Sequence, residues 1–297
     1  MTLKLGVVGL SPGNGHPYSW SAIFNGYDLD EMATCGFPAI PEYLAKQVFP
    51  RDLISAAQVT HVWTQDKMIS KKIAKAAKIS CVVDHYSEMV GEVDGILLAR
   101  DDAENHVKYA APFLLAGIPI YIDKPLALNT ADARGLFERQ LYPGQIFSCS
   151  ALRYAKEFQL SQSVLESIGE ITHVHACVPN GWDKYAIHVI EPLLLLIPNR
   201  GKLKFSQAFP SGDATTLVAE YAAGVQVLIS AVGTSKCPIS IKIYGKKGWK
   251  EMVFKDTYFA FKSALSEFIS GVRKHREPID LNFTLEVVSL IEAGRAL

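Results

Sequence analysis

Short apolar runs alternate with amphipathic stretches along the first half of the chain, and the alternation predicts strands and helices in turn. Residues 3–10 read as a strand, followed by a Gly/Pro/Asn-rich turn over 11–16 and a helix-compatible stretch over 18–25. A second strand is expected over 59–64, a helix over 67–77 and a third strand over 79–83. A fourth strand over 94–99 leads into a helix over 103–116 with Val107, Ala110, Ala111, Leu114 and Leu115 on one side. A fifth strand starts at Ile118 and runs directly into Asp123, Lys124 and Pro125. Strand, helix and strand within about thirty residues form a βαβ crossover, so this half predicts a doubly wound parallel sheet.

After Leu126 the pattern changes. Helices are expected over 131–140 and 159–168, and strand-like runs follow at short intervals over 171–178, 202–209, 215–222, 225–232 and 239–244. Hairpin-like turns at 221–225 and 244–248 make this an antiparallel-rich sheet. A chain of 297 residues exceeds one typical core. The expected fold class is therefore α/β plus α+β: a Rossmann domain over 1–126 and an open-faced, largely antiparallel sheet domain over 127–297. With few helices to cover it, the second face of that sheet is expected to join subunits into a homodimer or homotetramer. Residues 26–53 form a long insertion between the first helix and the second strand, which reads as a lid or contact arm or as a solvated excursion.

Charge narrows the partners. Lys plus Arg and Asp plus Glu each number 30, so the net charge is zero and no nucleic-acid partner is implied. The longest apolar run, 190–198, is interrupted by Glu191 and Pro192 and is too short to span a bilayer. Cys35, Cys81, Cys149, Cys177 and Cys237 are scattered without CxxC spacing, which reads as reduced thiols in a cytoplasmic protein.

Lys124 carries the most chemical information. In parallel sheets ligands bind outside the carboxyl ends of the strands, where Asp123 and Lys124 are expected, and Pro125 keeps Lys124 out of helical geometry. A lysine merely snorkelling at a strand end would read the same. Gly9, Ser11, Gly13, Asn14 and Gly15 lie in a turn between strand and helix, the arrangement that cradles a pyrophosphate. GxGxxG spacing is not met: counted from Gly9, the later glycine positions fall on Ser11 and Asn14. An ordinary turn has the same composition. Thr64 ends the second strand and Asp66 follows, either to hold a ribose or to cap the next helix. In the second half, Lys184, His188 and Glu191 fall at i, i+4 and i+7, on one helical face. His188 there reads as a proton carrier, with Lys184 or Tyr185 as substitutes, or as a satisfied core residue. His173 and His175 share a strand face and have no acid or cysteine at ligand spacing, so no metal is proposed.

These features together resemble the Gfo/Idh/MocA oxidoreductases over nearly the whole chain. The resemblance rests on Gly6-Val7-Val8-Gly9, on residues 94–99 with His106 downstream, on Asp123-Lys124-Pro125 as an EKP-type motif, on His188, on residues 244–248 and on the final helical tail. It implies an NAD or NADP cofactor, contacted by the glycine turn, Thr64, Asp66, Asp101, His106 and Asp123, and a polyol, sugar, inositol or nucleotide-sugar substrate. It further implies that Lys124 sits beside the nicotinamide and that His188 is the acid/base, the two converging on one cleft. The chain departs from the pattern in its glycine turn and in Lys184, where the family often has aspartate. These departures leave a noncatalytic nucleotide-binding sensor or scaffold as the alternative, and a glycosidase that uses NAD transiently as a third reading.

Overall fold

The computed structural model describes residues 2–295. Six parallel strands form the first sheet: β1 (Leu3–Val8), β2 (Ala57–Trp63), β3 (Cys81–Val82), β4 (Gly95–Leu98), β5 (Ile120–Ile122) and β6 (Ile146–Phe147). Their order is β3-β2-β1-β4-β5-β6. Helices α1 (His16–Asn25), α2 (Leu29–Ala33), α3 (Ala39–Leu44), α4 (Lys67–Ala76), α5 (His106–Leu115) and α6 (Thr130–Phe137) accompany this part of the chain. β4 and β5 are buried at every residue, as their unbroken apolar runs require of a strand covered on both faces.

The second sheet contains β7 (Ile171–Val178), β8 (Leu203–Ser211), β9 (Ala214–Tyr221), β10 (Gln226–Ala231), β11 (Ser240–Gly245) and β12 (Trp249–Val253), in the order β12-β11-β7-β10-β9-β8. Only β7 and β10 run parallel; every other neighbouring pair is antiparallel. β12 is an addition to the expected strands, and the turn at 244–248 is the hairpin that forms it. The remaining helices are α7 (Gln162–Ile168), α8 (Trp182–Tyr185), α9 (Ile187–Leu196), α10 (Thr257–Lys274) and α11 (Leu281–Gly294). α9 packs against β7 and β11, over a face formed by Val174, Ala176, Ile241 and Ile243.

The chain falls into two units that interleave along the sequence. The first takes in residues through Ala127, Asp132–Ser148 and Ala264–Leu281; the second takes in Leu128–Ala131, Cys149–Ser263 and the residues from Asn282 onward. Pairing accounts for part of this, since β6 extends the parallel sheet through β5. Aromatic packing accounts for the rest: Phe268 of α10 lies against Tyr121 and Phe147 at 5.8 and 5.9 Å between ring centroids. Within the first unit the 26–53 insertion is an arm of two short helices. Asp28 caps α2, its amide donates to the Ala76 carbonyl, and Glu31 pairs with Lys75 of α4. Among the described residues no helix is long and apolar enough to cross a membrane.

Candidate active site

At the carboxyl ends of the parallel strands, side chains tie the turn after β1 to three other loops. Gln65, just beyond β2, uses both amide atoms on Leu10: its Oε1 accepts from the Leu10 N–H at 3.1 Å and its Nε2 donates to the Leu10 carbonyl at 2.6 Å. Ser11 is buried and donates its hydroxyl to Asp101, beyond β4, at 2.7 Å, while accepting from the Asp101 N–H at 3.1 Å. Asn14 donates its side-chain amide to Asp123, beyond β5, at 2.8 Å. The residues that replace two glycines of the usual pattern thus spend their side chains on carboxylates, which fixes the path of the turn.

Asp123 is the hub of this network. It is 1 % exposed, accepts the Lys124 N–H at 2.7 Å and stands 2.5 Å from Nδ1 of His16, the first residue of α1. Burial is the largest single influence and pushes its carboxyl up, but the charge and hydrogen bond of His16, the charge of Lys124 and the Asn14 amide outweigh it. The net result holds Asp123 well below the usual carboxylate range. Lys124 is 7 % exposed, with Nζ 3.7 Å from an Asp101 oxygen. Asp101 therefore joins Ser11 to Lys124. The His16 ring stacks on Trp20, and Trp20 stacks on Tyr121 of β5, which extends the buried support beneath the site.

Other expected contacts have structural employment. Asp66 is the N-cap of α4, its Oδ1 accepting from the Met68 and Ile69 N–H groups at 2.7 and 3.4 Å. Thr64 is buried, with its hydroxyl on the Asp66 carbonyl and Ser70. His106 is completely buried and sets its two ring nitrogens on the carbonyls of Leu126 and Arg100, clamping the loop after β5 to the loop after β4. Arg100 pairs with Asp102 and donates to the Leu10 carbonyl and Gln65.

The turn retains backbone N–H groups that are not used within the fold. Among the described residues the amides of Ser11, Gly13 and Gly15 carry no hydrogen bond, whereas the His16 amide is taken by Asn14 Oδ1 and Pro17 has none to offer. Gly13 has φ +79° with open space above its Cα, so an anion can approach the backbone there. Gly15 needs to be glycine for another reason: a Cβ would lie 2.6 Å from Ile40 and 2.7 Å from Phe37, which the insertion seats against the turn. Of the three residues only Gly13 is exposed, so its amide is the one open to an anion from solvent.

In the second unit, α8 and α9 are separated by Ala186, and the Lys184 to Glu191 face is divided between them. His188 and Glu191 converge on one residue, Ser150. The Ser150 hydroxyl lies 2.8 Å from His188 Nδ1, and the Ser150 N–H donates to Glu191 at 2.5 Å. The Tyr185 ring stands edge-on to His188 at 5.5 Å. Glu191 is 1 % exposed, and burial pushes its carboxyl up to about 7 against the opposing pull of Arg153 and the Ser150 N–H. Between the ordinary value of 4.5 and about 7, the unfolded chain ionises Glu191 while the folded one keeps it protonated. Stability should therefore fall as pH rises through this window, by about 3 kcal/mol once it is passed. Glu191→Gln should remove that slope, so urea titrations should favour the variant increasingly from about pH 5 to about pH 8. An offset constant across that range would refute the assignment.

His16, Gln65, Arg100 and Ser150 are site residues that sequence reasoning did not single out. His16 had a signal, a histidine directly ahead of a proline at the start of a helix. Ser150 had none, being 38 residues from His188.

Comparison with known proteins bears on this arrangement. The family described as an oxidoreductase family with an NAD-binding Rossmann fold, Gfo/Idh/MocA, matches residues 33–148. A protein of Amycolatopsis mediterranei named for the oxidoreductase subunit of a UDP-kanosamine synthase is 32 % identical over 69 residues. That match spans 23 % of this chain and about a fifth (19 %) of the relative. Among solved structures, myo-inositol 2-dehydrogenase of Lactobacillus plantarum superposes with a TM-score of 0.74 at 11 % identity, covering 99 % of this chain and 97 % of that one. UDP-N-acetylglucosamine 3-dehydrogenase of Acidithiobacillus ferrooxidans gives 0.70 at 15 % identity, with 99 % and 97 % covered. Scyllo-inositol dehydrogenase of Lactobacillus casei, solved with NAD(H) and scyllo-inositol, gives 0.72 at 12 %, with 99 % and 96 % covered. At such identities the shared property is the fold. Residues 33–148 thus match the Gfo/Idh/MocA oxidoreductase family model, and the fold of the chain as a whole is the one these dehydrogenase structures share.

Proposed function

We propose that the protein is an NAD(P)-dependent oxidoreductase that interconverts a secondary hydroxyl and a ketone on a sugar, inositol or nucleotide-sugar substrate. The observation that carries this reading is the desolvated Lys124 at the carboxyl end of β5, flanked by Asp101 and by an Asp123 carboxylate held ionised by its neighbours. The names of the relatives, inositol and UDP-sugar dehydrogenases, support the substrate class.

In this reading the turn holds the pyrophosphate through its backbone amides, that of Gly13 foremost. A bound nicotinamide supplies the hydride acceptor. As the carbinol carbon gives up its hydride, Lys124 donates a hydrogen bond to the oxygen on which negative charge builds, and His188 takes the hydroxyl proton. A positioned acid/base contributes about a hundred- to ten-thousand-fold, and an oxyanion partner in a dry site a similar amount. Tyr185, edge-on to His188, and Lys184 on the preceding helix are the side chains that would share the proton.

The face of the second sheet that exposes Phe205, Phe209 and Trp249 suits self-association into a homodimer or homotetramer. The free thiols suit a cytoplasmic setting.

Titration with NADH and with NADPH, followed by nicotinamide fluorescence, should show binding of at least one. Turnover should then appear on a panel of inositols, polyols and UDP-sugars. Failure of both coenzymes to bind would remove the cofactor, and binding with no turnover across the panel would turn the reading into that of a sensor.

A further inference from the structure

We infer that Ser150 is a positioning residue for His188: its hydroxyl holds the imidazole by Nδ1 and thereby assigns proton exchange to Nε2. The inference rests on the proton-carrying role proposed for His188, and on geometry confined to the second unit.

Ser150 is fully buried and is fixed through four contacts, one of them the Arg153 N–H on its carbonyl at 3.1 Å. Its hydroxyl lies 2.8 Å from His188 Nδ1 and accepts the Leu152 N–H at 3.2 Å, and its own N–H donates to the buried Glu191 carboxyl at 2.5 Å. His188 and Glu191 both belong to α9, three residues apart, so a single helix face grips the serine at its side chain and at its backbone. The charge of Arg153 also acts on Glu191, pulling its carboxyl down against burial. The serine cannot move away from the imidazole without breaking a buried hydrogen bond to a carboxyl group, a loss of the costly kind.

Hydroxyl chemistry explains why a serine suits this place. With one lone pair engaged by Leu152, the Ser150 oxygen still has a hydrogen to give and a second lone pair to offer. When Nδ1 carries the proton, it donates to the oxygen, and Nε2 presents a lone pair that can accept a proton from an alcohol. Once Nε2 has taken that proton, Nδ1 keeps its own and goes on donating to the hydroxyl, and in the reverse direction the doubly protonated ring returns its Nε2 hydrogen to the ketone oxygen. One hydrogen bond is kept in both directions of a reversible reaction, and the ring does not have to turn.

The bland alternative is that Ser150 only caps the short turn Ala151–Tyr154 through Leu152. Ring spectroscopy separates the two. In 15N-histidine-labelled protein, with His188→Gln identifying the resonances, Ser150→Ala should shift the Nδ1 and Nε2 signals of His188 and change its tautomer ratio, while Ser150→Thr should restore the wild-type pattern. Turnover in Ser150→Ala should fall about ten- to a hundredfold with KM changed far less, and Ser150→Thr should recover most of it. If the alanine variant does not fold, Ser150→Cys carries the same measurement, because a thiol keeps the volume but bonds weakly. Unchanged His188 signals in a folded Ser150 variant overturn the inference, as do shifted signals with unaltered turnover. Because the spectra are read without substrate, a protein that proves inactive on every substrate would sink the dehydrogenase reading and still report whether Ser150 sets the ring.

Discussion

Replacing Lys124 by alanine is expected to lower turnover by about a thousandfold or more while leaving nicotinamide binding within a fewfold of wild type. The side chain is almost entirely out of water, and its Nζ has Asp101 at 3.7 Å. Removing it takes away the donor proposed to meet charge on the substrate oxygen, which in a dry site is worth a few kcal/mol. The phosphate donors proposed for the turn are backbone amides and do not involve Lys124, so coenzyme affinity should survive. Fluorescence titration and steady-state kinetics on the same preparation check both halves. Turnover near the wild-type rate would remove Lys124 from the mechanism.

The second large effect is expected at Asp123. Asp123→Asn keeps the shape of the side chain and removes the charge that faces Lys124 and meets the His16 ring, so the buried lysine loses a counterpart. Breaking a buried charge pair from one side typically costs about 3 kcal/mol or more. The pH dependence has a definite sign. Because the folded carboxyl titrates below its ordinary value of 3.8, it contributes stability that is present above that value and is lost as pH falls through the acid range. Urea unfolding should show a large deficit for the variant at neutral pH and a smaller one at about pH 3, where wild type has begun to lose the same contribution. An equal deficit at both values would mean that the ionic partnership contributes little. Turnover should fall as well, since the same carboxylate accepts the Lys124 N–H and so fixes the backbone from which the lysine projects.

The strands of the first sheet were legible because parallel strands buried on both faces are continuous apolar runs, and β4 and β5 are such runs. Lys124 was legible for a related reason: a strand that ends on an acid, a lysine and a proline leaves no loop in which they could be solvated. Asp66 was half legible, since the end of a second strand and the start of a helix coincide there, and one carboxylate suits either task. The helices of the insertion were not legible. α2 and α3 are five and six residues long, too short to show a period, and depend on α4 and the turn for their stability. The parallel pairing of β7 with β10 was also hidden, because a run of alternating residues does not record the direction of its neighbour.

By itself, the sequence determined the order of most elements, the class of each sheet and the placing of Lys124 at a strand's carboxyl end, since periodicity and chain breakers act over a few residues at a time. Tertiary structure alone decided that Asn14 and His16 meet Asp123, that Ser11 meets Asp101 and that Ser150 meets His188, across 109, 107, 90 and 38 residues respectively. A hydrogen bond depends on an ångström of distance and on direction, and no local pattern encodes either until the sheet has brought its loops together.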